Sequence, residues 1–443
     1  MSIKKSHFFS PSRTIVFSMI FTIFLGTLLL ALPIARVKDA ALIDLLFTAT
    51  SCTCVTGLMT IPIETFSMFG LGIILFLIQI GGLGLITLTL FAVSLFTNLG
   101  LGTQVMAGEM LELDSWKDTR KILLFIITLT LTIEAIGALF VFQTFRNDFT
   151  FYKAIFFSFF HSVSAFCNAG LSPFSGGMIY FATNYNVLLI TCLLMIAGGI
   201  GFITWNEIFF THNPFSKRKY RMSLQTKLIL RYYFFLIFIN TILFWLLERN
   251  NTLIGMNEPL QWINSFFLSV TSRSGGYLAV YPNNLQNASL FAIIANAFIG
   301  SAPGSTGSGV KLTTMAIFFA TINAAIINKP SVDIHGRRIM KDQVYRALAI
   351  VALSLLWIIL ITFFLLITEK NWNFLDILFE SISAFSTLGA SIGMTPYLSF
   401  VGKILILLSM LIGRIGSLTF MIALRKSVER SEFSYPEERV MMT

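Results

Sequence analysis

HSVSAFCNAGLSPF at 161–174 and ESISAFSTLGASIG at 380–393 are one motif written twice. Anchoring Gly170 on Gly389 aligns Ser162 with Ser381, and Ser164-Ala165-Phe166 with Ser383-Ala384-Phe385. TATSCTCVTGL (48–58) places Gly57 at the same point, and FLSVTSRSGGY (267–277) places Gly276 there. The four glycines recur at intervals of 113, 106 and 113 residues, so the chain reads as one unit repeated four times.

Each motif follows a short apolar segment, at 39–51, 149–165, 258–270 and 372–383, and lies between two long apolar runs. The runs fall near 14–34, 69–97, 119–143, 187–211, 227–247, 289–325, 344–368 and 401–424. Runs of roughly 20 apolar residues span a bilayer, whereas segments of about 10–14 suit re-entrant half-helices. The second runs share a pattern as well: IGGLGLIT (80–87), AGGIGFIT (197–204) and IGRIGSLT (412–419), with Ile299-Gly300 opening the third copy. The glycines of these runs, Gly81, Gly84, Gly198, Gly201, Gly413 and Gly416, read as close-packing positions. The predicted fold is an all-α polytopic membrane protein of four tandem span–pore-helix–span repeats. Eight transmembrane helices and four re-entrant half-helices would then surround a pseudo-fourfold pore. The repeats are drawn at 1–98, 99–212, 213–328 and 329–426, with a tail at 427–443. Their pore loops fall at 48–58, 161–171, 267–277 and 380–390.

Composition agrees. Only 12% of the 443 residues are charged and 56% are apolar, with 46 Phe; soluble domains carry roughly 25% charged residues. The net charge of +10 does not point to nucleic acid, because the basic residues sit in short loops between apolar runs. If every repeat crosses twice, all inter-repeat connections share one side. That side carries 21 Lys and Arg against seven on the other, with Arg273, Lys311 and Arg414 at membrane depth. The positive-inside rule makes it the cytoplasm, with both termini there and the half-helices entering from outside. The first apolar run reads as a span rather than a cleaved leader, since no small-residue cleavage site follows it. The four cysteines, Cys52, Cys54, Cys167 and Cys192, lie in or beside apolar segments and imply no disulfide framework. The Cys52–Cys54 pair lacks the second Cys/His pair that a metal site would need. Paired acids, a Ser/His couple or an HExxH motif would mark an intramembrane enzyme, and the spans carry none of them.

Four re-entrant helices point to cation chemistry. Each would aim unpaired carbonyls and the negative end of its dipole at the bilayer centre, which is tolerable only around a water- or ion-filled axis. The extended backbone beyond can replace a monovalent cation's hydration shell with carbonyl oxygens, and glycine permits the torsions this needs. The predicted filter is Val55, Thr56 and Gly57; Asn168, Ala169 and Gly170; Ser274, Gly275 and Gly276; Thr387, Leu388 and Gly389. Asp39, Asp44, Asp148, Glu258 and Asp376 near the helix starts suit the positive dipole ends.

The third long run breaks the pattern. Its middle, Gly300-Ser301-Ala302-Pro303-Gly304-Ser305-Thr306-Gly307-Ser308-Gly309, cannot continue a helix, and a polar loop just inside the filter is placed as a gate. Lys311 and Arg414 are costly intramembrane charges and are assigned to this gate. Arg414 would repel ions and hydrogen-bond the loop; Arg273 would support the third filter loop from behind. Glu134 and His161 show no acid–base partner in the sequence. A packed, hydrogen-bonded Glu134 competes with a relay.

On these residues the chain resembles the Ktr/Trk/HKT superfamily of potassium transporters. CVTGL (54–58), SAFCNAG (164–170), TSRSGG (271–276) and SAFSTLG (383–389) match its pore loops, GSAPGSTGSGVKLTT (300–314) its intramembrane gating loop, and IGRIG (412–416) its arginine-bearing last span. With only about 13 residues before the first span, the chain looks like the membrane subunit of a bacterial Ktr system. The resemblance implies potassium uptake across the bacterial plasma membrane by a homodimer with one pore per protomer. It also implies a cytosolic octameric RCK-type ring of regulatory subunits that binds ATP and ADP, and sodium as an activator. Where the family commonly has Arg-Thr-Ala-Gly-Phe-Asn, this chain has Arg273-Ser274-Gly275-Gly276-Tyr277-Leu278. Plant relatives with serine at the first filter glycine carry sodium; four glycines here favour potassium. The alternative is a sodium-preferring or weakly selective transporter of the same fold.

Overall fold

The computed structural model describes residues 11–84, 119–211 and 222–424, with Pro436 and Glu438. Within these residues the chain is mostly helical. A long helix, a short one, a loop and a second apolar helix follow one another four times. The long first helices are α1 (Pro11–Leu30), α4 (Thr119–Asp148), α8 (Leu224–Glu248) and α12 (Lys341–Thr368), all long and apolar enough to cross a membrane. The short helices are α2 (Leu42–Thr53), α5 (Phe151–Phe166), α9 (Glu258–Thr271) and α13 (Phe374–Phe385), within a few residues of the expected half-helices.

Local chemistry sets their starts. Asn257 caps α9 through the Leu260 amide at 3.1 Å, and Pro259 fits the first turn, where an amide would go unused. Asn373 and Asp376 form a capping box on α13. The second helices begin at Ser67, Asn184 and Ser399, whose side chains accept amides three residues on.

The second helices are where the structure departs from the sequence reading. They are α3 (Met68–Leu83), α6 (Tyr185–Gly199) with α7 (Phe202–Thr211), α10 (Asn287–Phe298) with α11 (Leu312–Ile326), and α14 (Phe400–Ile415) with α15 (Ser417–Leu424). The runs 187–211 and 401–424 are not straight spans: α6–α7 bends by 92° and α14–α15 by 98°. The hinges are Gly201 and Gly416, at φ +94° and +93°, a region essentially closed to other residues. Gly84 closes α3 at φ +81°. Gly84 and Gly416 therefore turn the chain, and Gly201 both turns it and packs, since a Cβ there would meet Pro303 O at 2.7 Å. Gly81, Gly198 and Gly413 do pack: a Cβ there would meet the carbonyl oxygens of Thr53, Phe166 and Phe385 at the ends of α2, α5 and α13. The remainder of the 69–97 run, the first two repeat boundaries and most of the tail lie outside the described residues.

In the third copy α10 stops at Phe298, and the chain crosses to α11 as a loop pinched at its ends by a bridge between Ile299 and Val310. A short hairpin, β1 (Asp333–Ile334) and β2 (Arg337–Arg338), links α11 to α12. The largest core cluster joins α2, α3, α4, α5 and α6, with Phe145, Phe160 and Phe166 wholly buried. Many side chains that point away from it are apolar and exposed, among them Phe21, Phe140, Phe238 and Phe363. An apolar outer surface of this extent belongs against hydrocarbon.

Candidate functional site

Three of the four short helices end in a turn that the sequence builds from a serine. Ser51, Ser164 and Ser383 stand six residues before Gly57, Gly170 and Gly389. Their carbonyls accept the amides of Thr56, Ala169 and Leu388 at 2.7, 2.7 and 2.8 Å. Their hydroxyls accept the amides of Gly57, Leu171 and Gly389 at 3.0, 3.1 and 3.1 Å, and Ser383 also donates to the Ala390 carbonyl at 2.6 Å. With these backbone groups satisfied from behind, Val55, Asn168 and Thr387 are held at φ +56°, +60° and +50°. Left-handed backbone at non-glycine residues costs about 1–3 kcal/mol each and persists where the surroundings impose it.

The third loop is built differently. Val270 replaces the serine, Ser274 is not left-handed, and the Gly275 amide bonds the Thr271 carbonyl at 2.9 Å. Arg273 supports this loop from behind, as expected. It is 2% exposed, donates to the carbonyls of Tyr233 (3.3 Å) and Gly300 (3.0 Å), and lies 4.2 Å over the Tyr233 ring. The Tyr277 hydroxyl donates to Leu171 O at 3.0 Å, fastening the third loop to the second.

The four loops meet. A Cβ on Gly57 would strike Ala169 O; on Gly170, Gly275 O at 2.9 Å; on Gly276, Leu388 O; on Gly389, Thr56 O. Each glycine thus faces the carbonyl preceding the next unit's glycine, and the sequence of contacts closes from the fourth unit onto the first. All twelve expected filter residues lie in these four loops. The buried hydroxyls of Thr56 and Thr387, beside the ring, have no hydrogen-bond partner among the described residues.

Beneath the ring, the loop 300–311 is held from three units. Its own ends are zipped by Gly300 N to Val310 O (2.9 Å) and Leu312 N to Ser301 O (3.2 Å). From the second unit, Ala302 N and Thr306 N bond the carbonyls of Gly199 and Gly198, and Phe202 N bonds Gly304 O at 2.8 Å. Thr306 Oγ1 donates to Phe166 O at 3.0 Å and accepts Asn168 Nδ2 at 2.8 Å, a direct tie between the second glycine-bearing loop and this one. From the fourth unit Arg414 reaches Thr306 O and, at 3.0 Å, Ser308 Oγ; its other amino group bonds Gly81 O and, at 3.4 Å, Gly82 O in the first unit. Lys311 Nζ donates to Gly307 O at 2.7 Å. Pro303 and Ser305 form the outer bend of the loop, where Ser305 Oγ donates to Ala302 O at 2.6 Å, and Gly309 lies against Gly300.

The residues that brace the site were only partly foreseen. The Ser164/Ser383 identity was visible, but not the backbone it holds. Asn168 is expected to act through its carbonyl; its side-chain amide also ties the second loop to the 300–311 loop. Glu134 is buried, accepts Gln79 Nε2 at 3.2 Å and lies 4.0 Å from Cys167 Sγ, so it is packed and hydrogen-bonded behind the second loop. His161 pairs with Thr191 Oγ1 at 2.8 Å, and its counterpart Glu380 accepts Ser391 Oγ at 2.9 Å and the Thr395 hydroxyl.

Four short helices ending on one ring, inside a shell of apolar helices, define a polytopic membrane protein of the pore-loop class. The chain belongs to the TrkH family of cation transport proteins, whose sequence profile matches residues 7–435; this is a family of transporters, not of enzymes. It is 34% identical to the potassium/sodium uptake protein NtpJ of Enterococcus hirae, over 98% of this chain and 97% of that one. It is 33% identical to Ktr system potassium uptake protein B of Vibrio alginolyticus, over 97% and 94%. The crystal structure of the potassium transporter TrkH from Vibrio parahaemolyticus has the same fold. Its TM-score is 0.75 at 17% identity, covering 96% of this chain and 87% of that one.

Proposed function

We propose that the chain is the membrane subunit of a potassium uptake system and passes potassium through the ring of four glycine-bearing loops. The observation that carries this reading is the closure of that ring, each glycine set against the carbonyl that precedes the next. Carbonyls so placed supply a dehydrated monovalent cation with oxygen ligands, and four helix C-termini supply negative potential. The filter is Val55–Gly57, Asn168–Gly170, Ser274–Gly276 and Thr387–Gly389. The loop 300–309 with Lys311 and Arg414 is the gate, and the hydrogen-bonded arrangement is its closed form. The units are the four repeats 1–98, 99–212, 213–328 and 329–426. The protein sits in the plasma membrane with cytoplasmic termini and works as a homodimer on a cytosolic octameric RCK-type ring. That ring, not this chain, binds ATP and ADP, and sodium acts as an activator. The names of the Vibrio and Enterococcus relatives, each a potassium uptake protein, support the substrate.

The Enterococcus name includes sodium, which keeps a weakly selective or sodium-preferring transporter as the second reading. Cation flux into proteoliposomes holding the purified chain separates them. Potassium flux above sodium flux in the parent chain, with the preference lost in Gly276→Ser, is the expected result. Equal fluxes unmoved by that substitution would overturn the filter assignment.

A further inference from the structure

A groove of about 540 Å³ runs between α8 and α11 and belongs to none of the machinery above. Its inner end is formed by Ile299 and Leu312, the residues flanking the 300–311 loop on either side. Its walls include Phe235 and Phe319, which are 54% and 56% exposed, so the groove opens sideways through an apolar surface. Its mouth is polar. There Arg231 Nη1 donates to His335 Nε2 at 2.6 Å, and no carboxylate lies within ion-pairing distance of Arg231 among the described residues. Asp333 also lines the mouth, but it accepts Ser331 Oγ at 3.2 Å and faces Arg338 across the hairpin, where Arg337 and Arg338 are both exposed. The mouth is therefore net basic.

We infer that this groove is a site for one anionic phospholipid of the leaflet on the basic side, with its phosphate on Arg231 and His335 and an acyl chain against both ends of the 300–311 loop. The length fits: Leu312 to Asn323, another lining residue, is eleven helical steps, about 16 Å. One leaflet of hydrocarbon is about 15 Å deep. The polarity fits too, apolar within the membrane and basic at its edge, where juxtamembrane Lys and Arg attract anionic headgroups. A second copy of the chain would bring like-charged mouths together across a twofold contact, which disfavours it as the occupant. A chain packed on Ile299 and Leu312 favours the zipped ends of the loop, so the lipid holds the loop in the arrangement seen here. Binding stands apart from the proposed function; the consequence for flux rests on it.

The test uses the full chain carrying Phe319→Trp in phosphatidylcholine nanodiscs, with the unsubstituted chain subtracted as background. Dibrominated phosphatidylglycerol should quench the new tryptophan at a roughly fivefold lower mole fraction than dibrominated phosphatidylcholine. Adding Arg231→Gln with His335→Gln should erase that difference. Equal quenching by both lipids with the mouth intact would overturn the site, as unselective bilayer contact. No quenching by either would also overturn it and mean that protein fills the groove. In proteoliposomes, potassium flux should fall as the phosphatidylglycerol fraction rises, and the double substitution should blunt that fall. Flux indifferent to the lipid despite selective quenching would overturn the link to the loop. Absence of flux in every lipid would count against the transport reading and leave the binding result standing.

Discussion

Arg414 ties the 300–311 loop, the proposed gate, to a second unit. Its two amino groups bond carbonyls of different units, Thr306 O in the loop and Gly81 O in the first unit. A charged hydrogen bond contributes about 1.5–3 kcal/mol, so losing this one releases the loop as it removes a repulsive charge. Arg414→Gln should raise unstimulated potassium flux about tenfold, a factor worth about 1.4 kcal/mol. Arg414→Lys should fall between, because a single ammonium cannot bridge both units. Flux unchanged in well-folded Arg414→Gln protein would remove the latch. Ser383 braces the fourth loop of the proposed filter. Its hydroxyl holds Gly389 N and Ala390 O, and at about 1 kcal/mol for each net hydrogen bond its loss loosens one quarter of the ring. Ser383→Ala should cut the potassium-to-sodium flux ratio severalfold, whereas total flux should hold. A ratio equal to the parent's would show that the serine only packs.

At the scale of elements, the two right-angle bends set where the helices lie, and a single torsion makes each. Gly416→Ala forces a Cβ into φ +93° and should cost about 1–2 kcal/mol, read as a lowered unfolding midpoint in detergent. Gly72 is the control. It sits inside α3, a Cβ there meets nothing within 4 Å, and Gly72→Ala should be neutral or gain up to about 1 kcal/mol. Equal losses at both positions would mean that the bend is not what the glycine serves. These bends also mark what the sequence could not disclose. The short helices were legible because length and polarity bound them, and the loops because their residues repeat. The bent spans were not, because apolar residues dominate the run from Phe400 to Leu424 on both sides of the turn, and hydropathy does not register a torsion. Arg414 declared itself as a charge in an apolar run. The ties it makes could not be read, since Gly81 and Thr306 lie 333 and 108 residues away. The groove between α8 and α11 was invisible for the same reason, as each wall looks like an ordinary apolar helix.

The molecule as a whole must close a ring from a linear chain. Three junctions join consecutive units, which the backbone keeps together; the fourth, between first and last, rests on noncovalent contact alone. It runs through the ring of glycine-bearing loops, where Gly389 meets Thr56 and Gly57, and through α1 and α15, where Arg13 Nε donates to Ala423 O at 3.0 Å. Toward the ends of α2 and α14 nearest their N-termini it carries an ion pair, Lys403 Nζ to Asp44 Oδ1 at 2.6 Å, with side chains only 16% and 13% exposed. Asp44 also stands in the first turn of α2, where a carboxylate offsets the helix's positive end. A pair this shielded resists salt more than a surface pair, yet desolvation limits its net worth, so a coupling of about 1 kcal/mol is expected. The measurement is a double-mutant cycle on unfolding free energy with Asp44→Asn and Lys403→Met. Because the same seam passes through the proposed filter, each single substitution should also lower the potassium-to-sodium flux ratio. A zero coupling with an unchanged ratio would mean that apolar packing of α2 on α14 and α1 on α15 closes the ring. The charges would then only shape the mouth.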